Sequence, residues 1–304
     1  MSNQIDQTPP VSHWSDLEIA AKLPQLAVDA NKYTRGELTV VAGSSEYPGA
    51  AIIASWASQI MGAGYTRVIC APESVDTVRG ARASLVVASW EDKPLSDLVV
   101  PSHHRRGTLV GSGFDGNDDY TRDLSLGVIG QMPGPVVVDG GAITALASDA
   151  GIAAAKVRAE QGWPLVVTPH GGEAARLAKA ANISDSLAPE VLSPALANFY
   201  QAIIVLKGPD TYISDGKQVV AMTSGTAALA KAGTGDALAG IIAALVTLGL
   251  EPLDAGVVGA TLHAEAGKYA AQCFNELSVC PEDVIQALPH VITSFEKLRN
   301  GVNS

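Results

Sequence analysis

Short runs of aliphatic and β-branched residues alternate with longer Ala-rich stretches through the first two thirds of the chain. Leu38-Thr39-Val40-Val41-Ala42, Arg67-Val68-Ile69-Cys70, Ser84-Leu85-Val86-Val87-Ala88, Thr108-Leu109-Val110, Val136-Val137-Val138 and Leu165-Val166-Val167 each read as a strand. These runs are continuously apolar and bounded by Gly, Pro or Asp, the pattern of parallel strands buried on both faces. Parallel neighbours need crossover connections, and the intervals are long enough to hold helices. In one of them, residues 49–63, Ile52, Ile53, Trp56 and Ile60 recur at helical spacing. After residue 200 the pattern changes. Residues 203–206 form a strand, and residues 211–214 and 218–222 flank Asp215-Gly216, a two-residue hairpin signal. Three helices, at about 236–250, 253–274 and 282–299, complete the chain. No linker, charge block or repeat divides it. The expected fold class is α/β, a mostly parallel central sheet flanked by helices on both faces. A lead-in arm over 1–30, its first dozen residues disordered, precedes a single domain over 31–304.

Composition narrows the function classes. Of 304 residues 47% are hydrophobic, enough for a substantial core, and 5% aromatics with 30 glycines suit an α/β core with many tight turns. Thirty-one acids against 20 bases leave a net charge of −11, so no broad basic face exists for nucleic acid. An anionic small molecule would need local donors and cations instead. Cys70, Cys273 and Cys280 form no CxxC pair and no even framework, which reads as buried, inert thiols in a reducing compartment. Residues 1–14 are polar and lack an apolar signal-peptide core. The longest apolar run, 237–250, is too short to span a bilayer and reads as a buried helix. The expected address is the cytoplasm, with no membrane partner.

Five loops, each expected after a strand, carry the candidate chemistry. Gly233-Thr234-Gly235-Asp236 runs straight into an apolar helix. Its glycines let consecutive N–H groups converge, and the helix dipole adds positive potential, so a phosphate oxygen is favoured there. Asp is also a common N-cap, so an ordinary helix start is the alternative. Thr168-Pro169-His170-Gly171-Gly172-Glu173 follows a strand, where open parallel sheets bind ligands. There Glu173 either steers a metal through water or serves as a capping acid, and His170 is then a surface loop residue. Lys207-Gly208-Pro209-Asp210-Thr211 offers a point charge and a hydroxyl for phosphate, or else a solvated turn. Gly43-Ser44-Ser45-Glu46-Tyr47-Pro48-Gly49-Ala50 and Gly111-Ser112-Gly113-Phe114 are small, glycine-rich loops at two further strand ends. Strand ends of a parallel sheet share one edge, so the five loops reinforce one another. His263 lies at helical spacing among Val257, Ala260 and Ala264 and reads as a satisfied core or helix-interface histidine. The His103-His104-Arg105-Arg106 stretch is a polar loop without metal spacing, and no nucleophile elbow, HExxH or P-loop motif is present.

The ordered set resembles the NAD(P)H-hydrate dehydratases of the ribokinase-like superfamily. The resemblance opens with Lys32-Tyr33-Thr34-Arg35-Gly36, Val40-Val41-Ala42-Gly43-Ser44 and Tyr47-Pro48-Gly49-Ala50. It continues through Gly62-Ala63-Gly64, Thr168-Pro169-His170 with Glu173, Lys207-Gly208 with Thr211, and Gly233-Thr234-Gly235-Asp236, covering residues 30–295 or so. Two stretches depart from the family pattern. Asp139-Gly140-Gly141 stands where Asp-Ala-Asp is usual, and Gly111-Ser112-Gly113-Phe114-Asp115 stands for a Gly-Pro-Gly-Leu-Gly type turn.

The resemblance implies a ribokinase-like fold and dehydration of hydrated NADH or NADPH, a damaged cofactor carrying a ring hydroxyl. The expected donor is ADP, giving AMP and phosphate, as in the bacterial-type members; eukaryotic-type members use ATP. By the same resemblance Asp236 is the general base, and Ala50, Gly113, His170 and Asp236 line the substrate pocket. Lys207 to Thr211 and Gly233 to Gly235 bind the nucleotide, and Glu173 steers Mg²⁺ through water. It also implies a homo-oligomer, a tetramer in the family, and work beside a separate epimerase. Two rivals remain at this point: a small-molecule kinase of the same superfamily, and a nucleotide-binding protein without turnover, which the missing acid at Gly141 would suit.

Overall fold

The computed structural model describes residues 9–100 and 103–301. Ten strands form one sheet: β1 (Val11–Ser12), β2 (Glu37–Val41), β3 (Tyr65–Cys70), β4 (Val86–Ser89), β5 (Arg106–Val110), β6 (Val136–Val138), β7 (Leu165–Val167), β8 (Ile203–Leu206), β9 (Thr211–Ser214) and β10 (Val219–Met222). Their spatial order is β1-β10-β9-β8-β7-β6-β5-β2-β3-β4. Every pairing is parallel except those of β9 with β8 and with β10. The helices are α1 (Asp16–Lys22), α2 (Pro48–Met61), α3 (Val75–Ala81), α4 (Leu95–Leu98), α5 (Asp119–Gln131), α6 (Gly141–Leu146), α7 (Asp149–Glu160), α8 (Gly171–Ala180), α9 (Pro189–Tyr200), α10 (Thr234–Leu248), α11 (Pro252–Phe274) and α12 (Pro281–Arg299).

The continuous apolar strands are buried on both faces, as their pattern requires. Leu38, Val40, Val68, Leu109, Val137, Val166 and Val205 point into a core shared with α2, α10, α11 and α12. Val41, Ile69, Val110, Val138, Val167 and Ile204 point into a second core with α5 to α9. This period-2 split between two helical layers makes the α/β sandwich. Helix α10 is apolar all round and lies at the centre of the first core, buried from Ala237 to Leu248. Gly240 lets it cross α2 closely, because a Cβ there would run into the Ala54 carbonyl oxygen.

Four expectations need correction. The Asp215-Gly216 hairpin is not a two-residue turn: Ser214 pairs with Val219, so four residues connect the strands. Asp215 Oδ1 accepts from the Lys217 and Gln218 N–H groups at 2.8 and 2.7 Å, which closes this longer loop. The strand expected at 84–88 begins at Val86, after a turn closed by Leu85 N–H on the Arg82 carbonyl. The first eight residues of the arm lie outside the described residues, but Val11–Ser12 adds to the sheet beside β10. Of the three thiols only Cys70 is buried; Cys273 and Cys280 are exposed, near the end of α11 and the start of α12. No described helix is long and apolar enough to cross a membrane.

Candidate active site

Topology delivers four of the five loops to the carboxyl edge of the sheet, and the fifth, at the start of α10, faces them. Gly233 caps α10 with φ +94°, a left-handed conformation that suits glycine, and a Cβ there would press on the Pro281 ring at 2.8 Å. The Thr234 hydroxyl is directed at the Leu229 and Lys231 carbonyls, 2.7 and 2.8 Å away, and ties the loop down. The helix has no side-chain cap, and the N–H groups of Gly235 and Asp236 find no acceptor among the described residues. Two open donors at the start of a 15-residue helix make a seat for an anion. Asp236 is the third helical residue and not the N-cap, so the capping alternative does not describe it.

Burial pushes the Asp236 carboxyl up to about 6, and Asp139 adds to the rise. The Ser112 hydroxyl and the Lys207 ammonium oppose it. Asp139 follows β6 directly and is 3% exposed. It accepts from Thr168 Oγ1 at 2.6 Å, Ser112 Oγ at 3.1 Å and Lys207 Nζ at 3.1 Å. Three strand ends thus converge on one carboxylate. Asp139 and Ser112 lie in the two stretches that depart from the family pattern, and the sequence assigns neither a role. Their signal was a lone acid directly after an apolar strand, facing a hydroxyl two residues past the next one.

Lys207 directly follows β8, with its N–H on the Pro169 carbonyl at 2.8 Å. Burial would lower its ammonium, but Asp139 and Glu173 hold it above the ordinary lysine value. Glu173 and His170 form a capping box for α8: the His170 N–H donates to Glu173 Oε2 at 2.8 Å, and His170 Nδ1 accepts from Gly172 and Glu173 at 3.0 and 3.4 Å. The capping alternative therefore describes both residues. Glu173 is nevertheless buried, and burial lifts its carboxyl above the usual range against the pull of Lys207. On the other side Gly113, at φ +73°, packs on Ala50: a Cβ there would lie 2.7 Å from the Ala50 Cβ. The two departures from the family pattern touch. A Cβ at Gly141 would stand 2.8 Å from that of Phe114, whose ring packs edge-on against Trp90.

A cavity of about 770 Å³ opens beside Lys207 and Gly235, lined by His170, Gly208, Pro209, Thr211, Thr226, Leu229, Lys231, Thr234, Leu238 and His263. Asp210 lies exposed on the turn and does not line it. Lys231 Nζ donates to the Leu277 and Val279 carbonyls at 3.3 and 2.5 Å and approaches Cys280 Sγ at 3.9 Å. His263 is a buried helix residue, as expected, but its Nε2 has no partner among the described residues. Burial pushes it down to about 4, so it is neutral. No group of three His, Cys, Asp or Glu side chains disposed to hold a metal occurs among the described residues.

A family model described as NAD(P)H-hydrate dehydratase matches residues 38–290. The chain is 32% identical over 290 residues to the bifunctional NAD(P)H-hydrate repair enzyme of Moorella thermoacetica, covering 91% of this chain and 53% of that one. It spans about half the length of such bifunctional relatives. It is 28% identical to the ADP-dependent (S)-NAD(P)H-hydrate dehydratase of Xanthomonas campestris, covering 88% of this chain and 92% of that one. In fold it matches the ADP/ATP-dependent NAD(P)H-hydrate dehydratase of Bacillus subtilis, crystallised with ATP and Mg²⁺. The TM-score is 0.79 at 24% identity, over 94% and 99% of the two chains. A ribokinase-like superfamily protein of Enterococcus faecalis matches with a TM-score of 0.78 at 23% identity, over 97% and 98%. The expected ribokinase-like fold is thereby borne out.

Proposed function

The chain belongs to the NAD(P)H-hydrate dehydratase family, and on that footing we propose that it dehydrates hydrated NADH or NADPH with ADP as phosphoryl donor. The observation that carries the reading is the convergence at the start of α10. The open N–H groups of Gly235 and Asp236, the Asp236 carboxylate and the Lys207 ammonium meet at the mouth of one nucleotide-sized cavity.

Hydroxide is a poor leaving group, so the ring hydroxyl must first be phosphorylated. Asp236 takes the hydroxyl proton as the oxygen bonds to the β-phosphorus of ADP, and the bond to the AMP oxygen breaks. The open N–H pair receives the charge that builds on the phosphoryl oxygens. Phosphate then leaves from the ring carbon while the neighbouring carbon loses a proton, which restores the double bond. Gly208, Pro209 and Thr211 hold the AMP portion, and Ala50, Gly113 and His170 line the side of the ring. A carboxyl near 6 is mostly ionised at neutral pH yet basic enough to accept a proton, which suits the role of Asp236.

Mg²⁺ fits this site as a phosphate-borne ion. Asp139, Glu173 and Asp236 surround a single lysine, and magnesium usually takes one or two carboxylates with substrate phosphates and waters. Glu173 would hold it through water, its Oε2 already accepting the His170 N–H. When bound, the ion supplies positive charge to the phosphates. ADP is favoured over ATP because the names of close relatives carry that dependence. A cytoplasmic address, a homo-oligomer and a separate epimerase acting beside it belong to the same proposal.

The test mixes the protein with hydrated NADH or NADPH, Mg²⁺ and purified ADP or ATP, and follows the return of reduced-nicotinamide absorbance. ADP-dependent recovery with stoichiometric AMP is expected. Phosphorylation of a panel of small alcohols in its absence would overturn the reading in favour of a kinase.

A further inference from the structure

Two lysines line the cavity, and their ammonium groups are committed differently. An ammonium has three N–H donors. Those of Lys231 are directed at two carbonyls and a sulfur of residues 277–280, so this lysine fastens the loop before α10 to the connection that leads into α12. Lys207 has one hydrogen-bond acceptor among the described residues, Asp139. Its main chain is fixed on Pro169, and its ammonium reaches to 3.4 Å from where a Cβ of Gly235 would stand. Gly235 does not adopt a left-handed φ, and a Cβ there would be in ordinary contact with the ammonium, so the two groups are immediate neighbours. Asp139 is immobile in turn: Thr168 and Ser112 hold its two oxygens, and its N–H is on the Val110 carbonyl at 3.0 Å.

We propose that Lys207 serves the phosphoryl group being transferred and not the retention of the nucleoside monophosphate, and that Asp139 is the positioning residue that sets its ammonium beside Gly235. This rests on the reading of the site given above. Residues 208–211 carry the chain from β8 along the cavity, while the Lys207 side chain turns back to the anion seat. Two of its N–H donors remain for oxygens that accumulate charge as the β-phosphorus passes from the AMP oxygen to the ring oxygen. The lysine keeps its proton throughout, since Asp236 takes the one released. The resemblance gives Lys207 the same duty as Gly208 to Thr211; the geometry divides them.

The division is read by titrating AMP and ADP, each with Mg²⁺, into the wild type, Lys207→Ala, Asp139→Asn and the double variant. Lys207→Ala should weaken ADP by about tenfold or more, the worth of a charge-assisted hydrogen bond, and leave AMP within about twofold. Asp139→Asn should lower ADP affinity in the same selective way, and the double variant should match Lys207→Ala alone, because Asp139 acts through the lysine. In turnover the loss should fall on kcat more than on the KM for ADP. Equal weakening of AMP and ADP, no change in either, or additive effects in the double variant would overturn the assignment. Lys207→Ala leaves Asp139 with both hydroxyl donors, so it decides the matter alone should Asp139→Asn fail to fold. Wild-type turnover of hydrated NADH is scored separately. Its absence, with an ADP preference that still depends on Lys207, would sink the proposed reaction and leave the lysine assignment standing.

Discussion

At the amino ends of the strands, Glu37 meets the guanidinium groups of Arg67 and Arg106 at 3.1 and 3.3 Å. Close by, fully buried Arg158 donates to the carbonyls of Pro164, Ile129, Met132 and Gly134. At the carboxyl ends, Asp139, Glu173 and Asp236 gather around one cation, Lys207. The first edge compensates every charge it buries, one acid with two bases and one base with four carbonyl dipoles. The second edge holds three acids against one base, and burial lifts two of those acids above their ordinary range. A fold has no need of such a surplus, since uncompensated buried charge is destabilising. Compensated charge is architecture, and the surplus marks where a proton or an ion-bearing phosphate is to be handled.

The largest expected effect tests the surplus edge. Asp236→Asn keeps the size of the side chain and removes the base, so turnover should fall by about 10²–10⁴-fold with the melting temperature no lower than wild type. Near-normal turnover would remove Asp236 from the chemistry and with it the functional meaning of the surplus.

Arg158→Met tests the other edge. The substitution keeps an unbranched apolar stem and takes the guanidinium donor from four carbonyls, two of them in fully buried bonds. A loss of about 3–5 kcal/mol is expected in urea unfolding, with turnover per folded molecule unchanged. Lost activity in a fully folded variant would show that this edge, too, serves the reaction.

The third effect is a pH dependence confined to the carboxyl edge. The base must be ionised, and the Asp236 carboxyl stands at about 6. kcat/KM should therefore be flat above that value and fall about tenfold for each pH unit below it. A profile flat down to pH 4.5 would mean that Asp236 ionises like an exposed aspartate.

This contrast between edges was only partly legible in the chain. The sheet, both helical layers and the three C-terminal helices followed from continuous apolar runs and 3.6-residue spacing, because those patterns are set by burial. The loop ends carried enough glycine to place the site at one edge. Asp139 was harder to read. Its role comes from three donors, Ser112, Thr168 and Lys207, that lie 27 to 68 residues away. Contacts of that range leave no local periodicity. For the same reason the ion pair of Lys207 with Asp139 is not visible in the local sequence, which offers only a point charge or a solvated turn, and the exposure of Cys273 and Cys280 depends on how the connection between α11 and α12 leaves the core. His170 and Glu173 were legible in the opposite sense: the three-residue spacing of a capping box is local, and the structure displays it.

The smallest effect concerns stability and follows from the sign of the Asp236 shift. In the unfolded chain this carboxyl titrates near 3.8, and in the folded chain at about 6. Between those values the folded protein retains a proton that the unfolded chain has released. Stability therefore falls as pH rises through the window and stays lower above it. Asparagine has no proton to lose. Asp236→Asn should thus gain stability relative to wild type as pH rises from 4.5 to 8, by on the order of 1 kcal/mol once the partial exposure of the site is counted. Urea unfolding of both proteins without nucleotide, at several pH values, measures this difference directly. The gain would be the stability sacrificed to hold a base in a crowded acidic pocket, the counterpart of the activity lost in the same variant. A variant that instead loses stability above pH 6 would show that Lys207 fully compensates the Asp236 carboxylate. The carboxyl edge would then be balanced like the amino edge, and the pH profile of turnover would need another titrating group.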